Sequence, residues 1–191
     1  MKKNLTASYI VEVQRVLENL DIDAINQFVT GLGRAWSQQR SVFLCGNGGS
    51  AGNAIHLAND FLLGLDKSYQ NGLAAEALSA NPSVITCLAN DVGYESIYSY
   101  QLKIKAKKQD LLWALSGSGN SANIIEALRI ANELGMETYA IVGFDGGRVK
   151  RASQYVIHCD IPDMQIAEDM QLVIGHICMR QLRDNPPILV K

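Results

Sequence analysis

Proline is scarce in this chain, four residues in 191, and charged residues make up only 19% of it. Such a composition excludes a disordered or collagen-like chain. Long apolar runs are missing as well. None approaches the ~20 residues that a membrane-crossing helix needs. The N-terminus, MKKNLTASYIVEVQRVLENL, starts basic, but Glu12, Gln14, Arg15 and Glu18 interrupt its apolar residues. That pattern is an amphipathic helix and not a secretory signal peptide. Nor is there an excess of one charge: 17 Lys+Arg oppose 19 Asp+Glu, a net charge of −2. Bulk attraction to nucleic acid is therefore excluded as the main activity. The four cysteines, Cys45, Cys87, Cys159 and Cys178, form no C-x-x-C pair, and each lies in an apolar stretch. They read as reduced core thiols of a cytoplasmic protein, with nothing beside them to mark a nucleophile.

What is present is 48% hydrophobic residues, enough for a sizeable core in one domain spanning 1–191. Residues 6–20 carry Ile10, Val13, Val16, Leu17 and Leu20 at helical spacing. Asp21 or Asp23 can cap a second helix with Ile25, Phe28, Val29, Leu32 and Trp36. This helical pair, 1–40, precedes the first strand. The sheet does not need it, and it suits a subunit interface. From 41 onward, short apolar runs alternate with helical patterns. Strands are expected at 41–45, 73–77, 110–115, 137–143 and 154–159. Helices are expected at 50–65, 82–89, 94–107, 122–134 and 165–182, with a short one after FDGG. Continuous apolar strands alternating with helices imply an α/β sandwich of three layers, a central parallel five-stranded sheet covered on both faces. Ligands of such sheets bind at the carboxyl ends of the strands.

Two glycine-rich loops lie at that edge. The first, Gly46-Asn47-Gly48-Gly49-Ser50, lets backbone come close to a ligand at a helix start. It is not G-x-G-x-x-G and lacks the P-loop lysine, so a dinucleotide or nucleoside triphosphate fits poorly. The second, Ser116-Gly117-Ser118-Gly119-Asn120-Ser121, puts three hydroxyls at a strand-to-helix turn. Hydroxyls and helix amides together can satisfy a phosphate. The plain alternatives are a packing turn for the first loop and simple helix capping for the second. Together the loops suit a phosphorylated small molecule.

Among titratable groups, His56 and Asp60 stand at i and i+4, on one helix face. His176 interrupts the apolar stretch LVIGHICM, with Glu168 and Asp169 two turns before it. His158 alternates with apolar residues on a strand and reads as structural. Two histidines with two carboxylates also form a zinc-type donor set. Spacing leaves this open, because Glu168 and His176 are about 12 Å apart along a helix axis. Asp169 projects closer to the His176 face.

The motifs CGNGGSA (45–51) with His56, AND (89–91), SGSGNSANIIEA (116–127), DGG (145–147) and the final-helix His176 resemble the sedoheptulose 7-phosphate isomerase, or phosphoheptose isomerase, family of sugar isomerase (SIS) domains. The resemblance covers essentially the whole chain. It implies that Asn47, Gly48, Gly49, Asn90 and Asp91 contact substrate and that Ser116, Gly117, Ser118 and Ser121 hold its phosphate. It implies zinc on His56, Asp60, Glu168 and His176, with Asp60 and Glu168 also facing substrate. Here Asp60 stands where the family has Glu, Glu168 where it has Gln, and Gly117 where it often has Thr. Further implied are an enediol isomerisation with Asp60 as base and His176 as proton shuttle, a cytoplasmic homotetramer with sites at subunit interfaces, and a product for lipopolysaccharide or capsule precursors. A regulatory SIS subgroup that associates with a replication initiator shares the loops but lacks the final-helix histidine. It is the rival reading.

Overall fold

The computed structural model describes residues 5–66 and 71–189. Five parallel strands form one sheet in the order β2-β1-β3-β4-β5. They are β1 (Val42–Cys45), β2 (Ala75–Ala77), β3 (Leu111–Ser116), β4 (Glu137–Val142) and β5 (Tyr155–His158). Every residue of β1 and β3 is buried, the reason these strands read as unbroken apolar runs and not as alternating ones. Cys45 pairs with Ala114, and Ser116 pairs with Val142, so the segments that follow β1, β3 and β4 emerge along one edge.

On one face lie α1 (Leu5–Glu18), α2 (Ile22–Ser37), α3 (Gly49–Leu63) and α8 (Met164–Asp184), around a core with Phe28, Leu44, Phe61, Trp113 and Ile174. On the other lie α4 (Pro82–Asp91), α5 (Ser99–Lys105), α6 (Ala122–Glu133) and α7 (Gly147–Ala152), around Phe43, Ile97, Leu102, Leu112 and Leu128. Helix starts follow the caps. Asp21 accepts from the Ala24 amide, Asn81 from Ser83 and Val84 ahead of Pro82 at the first turn, and Asp163 from Ile166.

Three expectations change. First, α2 is part of the sheet's covering layer and is not dispensable to it. Phe28 packs edge-on against Trp113 and stacks on Tyr139, both with ring centroids 4.6 Å apart. Removing such a ring costs ~3–5 kcal/mol. It is α1 of this pair that stays largely exposed, with Leu5, Ile10 and Val11 among its open apolar residues. Second, the single helix expected at 94–107 is a 3-10 turn at Tyr94–Ser96 followed by α5. The turn starts after Gly93, at φ 114°, and buries the adjacent Ile97 and Tyr98. Third, Cys87 is exposed, while Cys45, Cys159 and Cys178 are buried, and all four are free. On α4 the inward position belongs to Leu88, and one residue of helix turns the next side chain by ~100°. No helix among the described residues is long and apolar enough to cross a membrane.

Candidate active site

The turns after β1 and β3 meet at the sheet edge. Asn47 and the buried Asn123 of α6 exchange two amide hydrogen bonds, each 2.8 Å, which tie the first loop to the helix that follows the second. The Tyr98 hydroxyl donates to the Gly46 carbonyl, and the Tyr94 hydroxyl donates to Asn47 Oδ1 at 3.2 Å. Burial pushes the Tyr98 phenol up, so it stays protonated as the donor. These partners escaped sequence reading. The only signal for Asn123 is a polar residue on the apolar face of α6.

Asn47, Ser116, Gly117, Ser118, Ser121 and Glu168 line a common cavity of about 130 Å³, with Ser50, Leu115 and Met164. Among the described residues, no lysine or arginine lines it. Two serines shape the loop itself: Ser116 Oγ accepts from the Gly119 amide at 3.1 Å, and Ser118 Oγ from Asn120 at 3.3 Å. Ser121 occupies the cap position of α6 but makes no side-chain cap bond. Helix capping therefore does not account for this third hydroxyl. The α6 amides and the hydroxyls offer an anion the donors a phosphate requires without a formal cation.

Glu168 belongs to this cavity. Its Oε1 accepts from the Ser50 amide at 3.0 Å, at the start of α3, and its carboxylate lies against Gly49, where any side chain would collide with it. An unpaired helix amide is the natural partner of a carboxylate. Gln171 and Asn53 complete the support: Gln171 Nε2 donates to Ser50 Oγ at 3.0 Å, and Asn53 Nδ2 to Gln171 Oε1 at 2.9 Å. Gly48 forms the cap of α3 beside them. Asn90 and Asp91 end α4 in the open, outside the cavity's lining. The Asn90 amide and the Cys87 thiol both donate to Asp91 and hold its carboxyl below the usual range.

Farther along the same two helices, His56, Asp60 and His176 converge. The two Nε2 atoms are 3.1 Å apart, and each is 3.3 Å from Asp60 Oδ2. Three basic atoms this close need a shared proton or a cation between them. Ligand atoms at ~2.0–2.1 Å in a tetrahedral zinc site stand ~3.3–3.4 Å from one another. The donor set fits zinc on both chemistry and spacing. The contact depends on Gly175, next to His176. A Cβ there would lie 2.9 Å from Leu57 Cδ1, so a larger residue would displace the Leu57 side chain or part α8 from α3. The cluster is half-exposed, with His56 and His176 side chains 48% and 46% accessible. Glu168 does not join these three. It sits two turns back on α8, with its carboxylate on the Ser50 amide. Asp169, the nearer carboxylate by rotation, is engaged by Tyr9, whose hydroxyl donates to Asp169 Oδ2 at 2.5 Å.

A parallel α/β sandwich with a serine-rich loop at its strand ends and a histidine–carboxylate cluster between two of its helices is the architecture of an SIS domain, and the SIS domain family matches residues 8–143. The chain is 36% identical over 165 residues to a phosphoheptose isomerase of Helicobacter pylori (strain P12), covering 86% of this chain and 85% of that one. It is 34% identical over 180 residues to that of Aliarcobacter butzleri, covering 94% and 89%. The structure of phosphoheptose isomerase from Neisseria gonorrhoeae superimposes with a TM-score of 0.87 at 26% identity, covering 96% of this chain and 100% of that one. This chain belongs to the phosphoheptose isomerase family of SIS-domain proteins.

Proposed function

We propose that this protein is an aldose–ketose isomerase that converts sedoheptulose 7-phosphate to D-glycero-D-manno-heptose 7-phosphate through an enediol. The observation that carries this reading is the convergence of His56, Asp60 and His176 on the same helix pair, α3 and α8, that supplies Ser50 and Glu168 to the serine-lined cavity. Family membership supports the reaction class.

The phosphate is held by Ser116, Gly117, Ser118 and Ser121 and by the first amides of α6. Asn47, Gly48, Gly49 and Glu168 face the sugar hydroxyls. From Glu168 to His176 the helix rises ~12 Å, comparable with the length of an extended heptose phosphate. The reacting carbons then lie toward the histidines. Asp60 takes a proton from C1 while the C2 oxygen gains one, which forms the enediol. A proton returned to C2, and the O1 proton lost, complete the aldose. His176 moves the protons at the oxygens. Asp60 Oδ2 faces both histidines, which leaves Oδ1 for substrate. Zinc held by His56, Asp60 and His176 would polarise the carbonyl when bound.

The half-exposed cluster and the apolar face of α1 support a homo-oligomer, in our reading a tetramer, whose neighbouring subunits cover the site and bring Asn90 and Asp91 to substrate. In this reading the enzyme works in the cytoplasm, and its product enters heptose-containing precursors of lipopolysaccharide or capsule. The test is turnover and C1/C2 proton exchange in deuterated water on a panel of six- and seven-carbon sugar phosphates. Exchange and product with the heptulose phosphate are expected. Tight binding of sugar phosphates with no exchange on any of them would replace the enzyme by the regulatory reading.

A further inference from the structure

The DGG motif, Asp145-Gly146-Gly147, has no part in the chemistry above, yet it is pressed against the phosphate loop. The Gly143 amide donates to the Gly117 carbonyl at 3.0 Å, and the Val149 amide to the Gly119 carbonyl at 2.8 Å. The Arg148 amide donates to Asn120 Oδ1 at 3.2 Å. Gly119 and Gly147, at φ +67° and +51°, meet backbone to backbone. A Cβ on Gly147 would stand 2.5 Å from the Gly119 carbonyl oxygen, and one on Gly119 would collide with the Gly146 carbonyl. Two carbonyls of the loop, Gly117 and Gly119, are thus directed at amides that flank the β4–α7 turn. A carbonyl left to swing toward the cavity would set its negative end against a phosphate.

The turn is itself pinned. Phe144 holds φ +48°, a region costly for a residue with a side chain. Both of its backbone groups are engaged: its amide donates to the Ile161 carbonyl at 3.0 Å, and its carbonyl faces His158 Nε2 at 2.7 Å. A carbonyl only accepts, so Nε2 carries the hydrogen and Nδ1 is left as the acceptor. Lys150 Nζ stands 3.1 Å from that Nδ1 and donates to it. Asp145 Oδ1 accepts from the Gly147 amide at 3.0 Å and closes the turn.

We propose that His158 is a positioning residue for substrate binding: through the Phe144 carbonyl it fixes the Phe144–Gly147 turn, whose flanking amides, Gly143 and Val149, hold the Gly117 and Gly119 carbonyls away from the phosphate. This deepens the reading of that loop as the phosphate site and rests on it. His158 lies outside the lining of the serine cavity and outside the His56–Asp60–His176 cluster. Its loss therefore weakens binding of the phosphate and leaves the proton transfers intact.

The experiment compares His158→Gln and His158→Asn with wild type. The glutamine amide reaches about as far as Nε2 and can donate to the Phe144 carbonyl; the asparagine amide ends about where Nδ1 lies. KM and kcat for the heptulose phosphate, and competitive inhibition by inorganic phosphate, are measured at saturating zinc. His158→Asn should raise KM and the phosphate inhibition constant together, each about tenfold, with kcat within about threefold of wild type. His158→Gln should stay within about threefold in all of them. Thermal unfolding confirms that both variants are folded. An asparagine variant that binds phosphate as wild type does, or one that loses kcat at unchanged KM, would overturn the positioning role. Ser118→Ala, measured alongside, separates this from failure of the underlying reading. If it leaves phosphate inhibition untouched, the loop is not the phosphate site. If it weakens inhibition while His158→Asn does not, the loop stands and the role of His158 is wrong.

Discussion

Replacing Gly175 by alanine tests whether the approach of α8 to α3 sets the His56–Asp60–His176 geometry. The new methyl carbon would lie 2.9 Å from Leu57 Cδ1 and 3.2 Å from Cγ. Apolar carbons prefer ~3.5–4.0 Å, so Leu57 must turn aside or the two helices part by roughly 1 Å. Leu57 is fully buried, so a turned side chain would press on its core neighbours. Overpacking of this kind costs ~1–3 kcal/mol, partly offset by the ~1 kcal/mol gained when alanine replaces glycine inside a helix. The net loss of about 0–2 kcal/mol corresponds to a melting temperature lower by up to ~8 °C in a chain of this size. Function should suffer more than stability. His176 is the next residue, and a ~1 Å error at reacting groups costs ~100-fold in rate. The control is Leu57→Ala, which alone costs ~2–5 kcal/mol but opens room for the methyl. Unfolding by calorimetry, zinc content and turnover are measured for both single variants and the double. The double variant should recover zinc and turnover relative to Gly175→Ala, with a favourable coupling of about 0.5–3 kcal/mol. Wild-type turnover and zinc in Gly175→Ala would refute the argument that this glycine sets the site.

The chemistry can be separated from the fold by near-isosteric changes. Asp60→Asn and His176→Gln should each lower turnover at least ~100-fold, assayed with and without added zinc, while melting shifts far less than a core truncation would cause. Protein purified without chelator should carry close to one zinc per chain by elemental analysis, and His56→Ala should lose it; full activity in metal-free protein would remove zinc from the mechanism. Burial pushes the thiols of Cys45, Cys159 and Cys178 up to about 12, so at pH 8 almost none is thiolate and none should alkylate in the folded protein. Only the exposed Cys87 should label, one adduct per chain by mass spectrometry. Its bond to Asp91 raises its pKa and lowers its thiolate fraction, so Asp91→Asn should speed labelling.

Much of the architecture is written in local pattern. Strands such as Leu111–Leu115 must be apolar on both faces because helices cover both, and that doubles as their signature in the chain. The two loops are legible for the same kind of reason: glycine and serine clustered after a strand have few other uses. His56 and Asp60 need only helical periodicity to share a face. Tertiary structure decides everything that depends on how two segments far apart in the chain approach. His176 meets Asp60 because Gly175 lets α8 close on α3, a contact that no spacing within α8 encodes. Glu168 has the reach and charge of a metal ligand, but the unpaired Ser50 amide at the start of α3 is nearer and takes its carboxylate. Likewise, His158 is one more residue of an edge strand until folding sets its ring under the Phe144 carbonyl. Periodicity reports which face of an element is buried; which side chain it meets there is settled only by the packing of the whole chain.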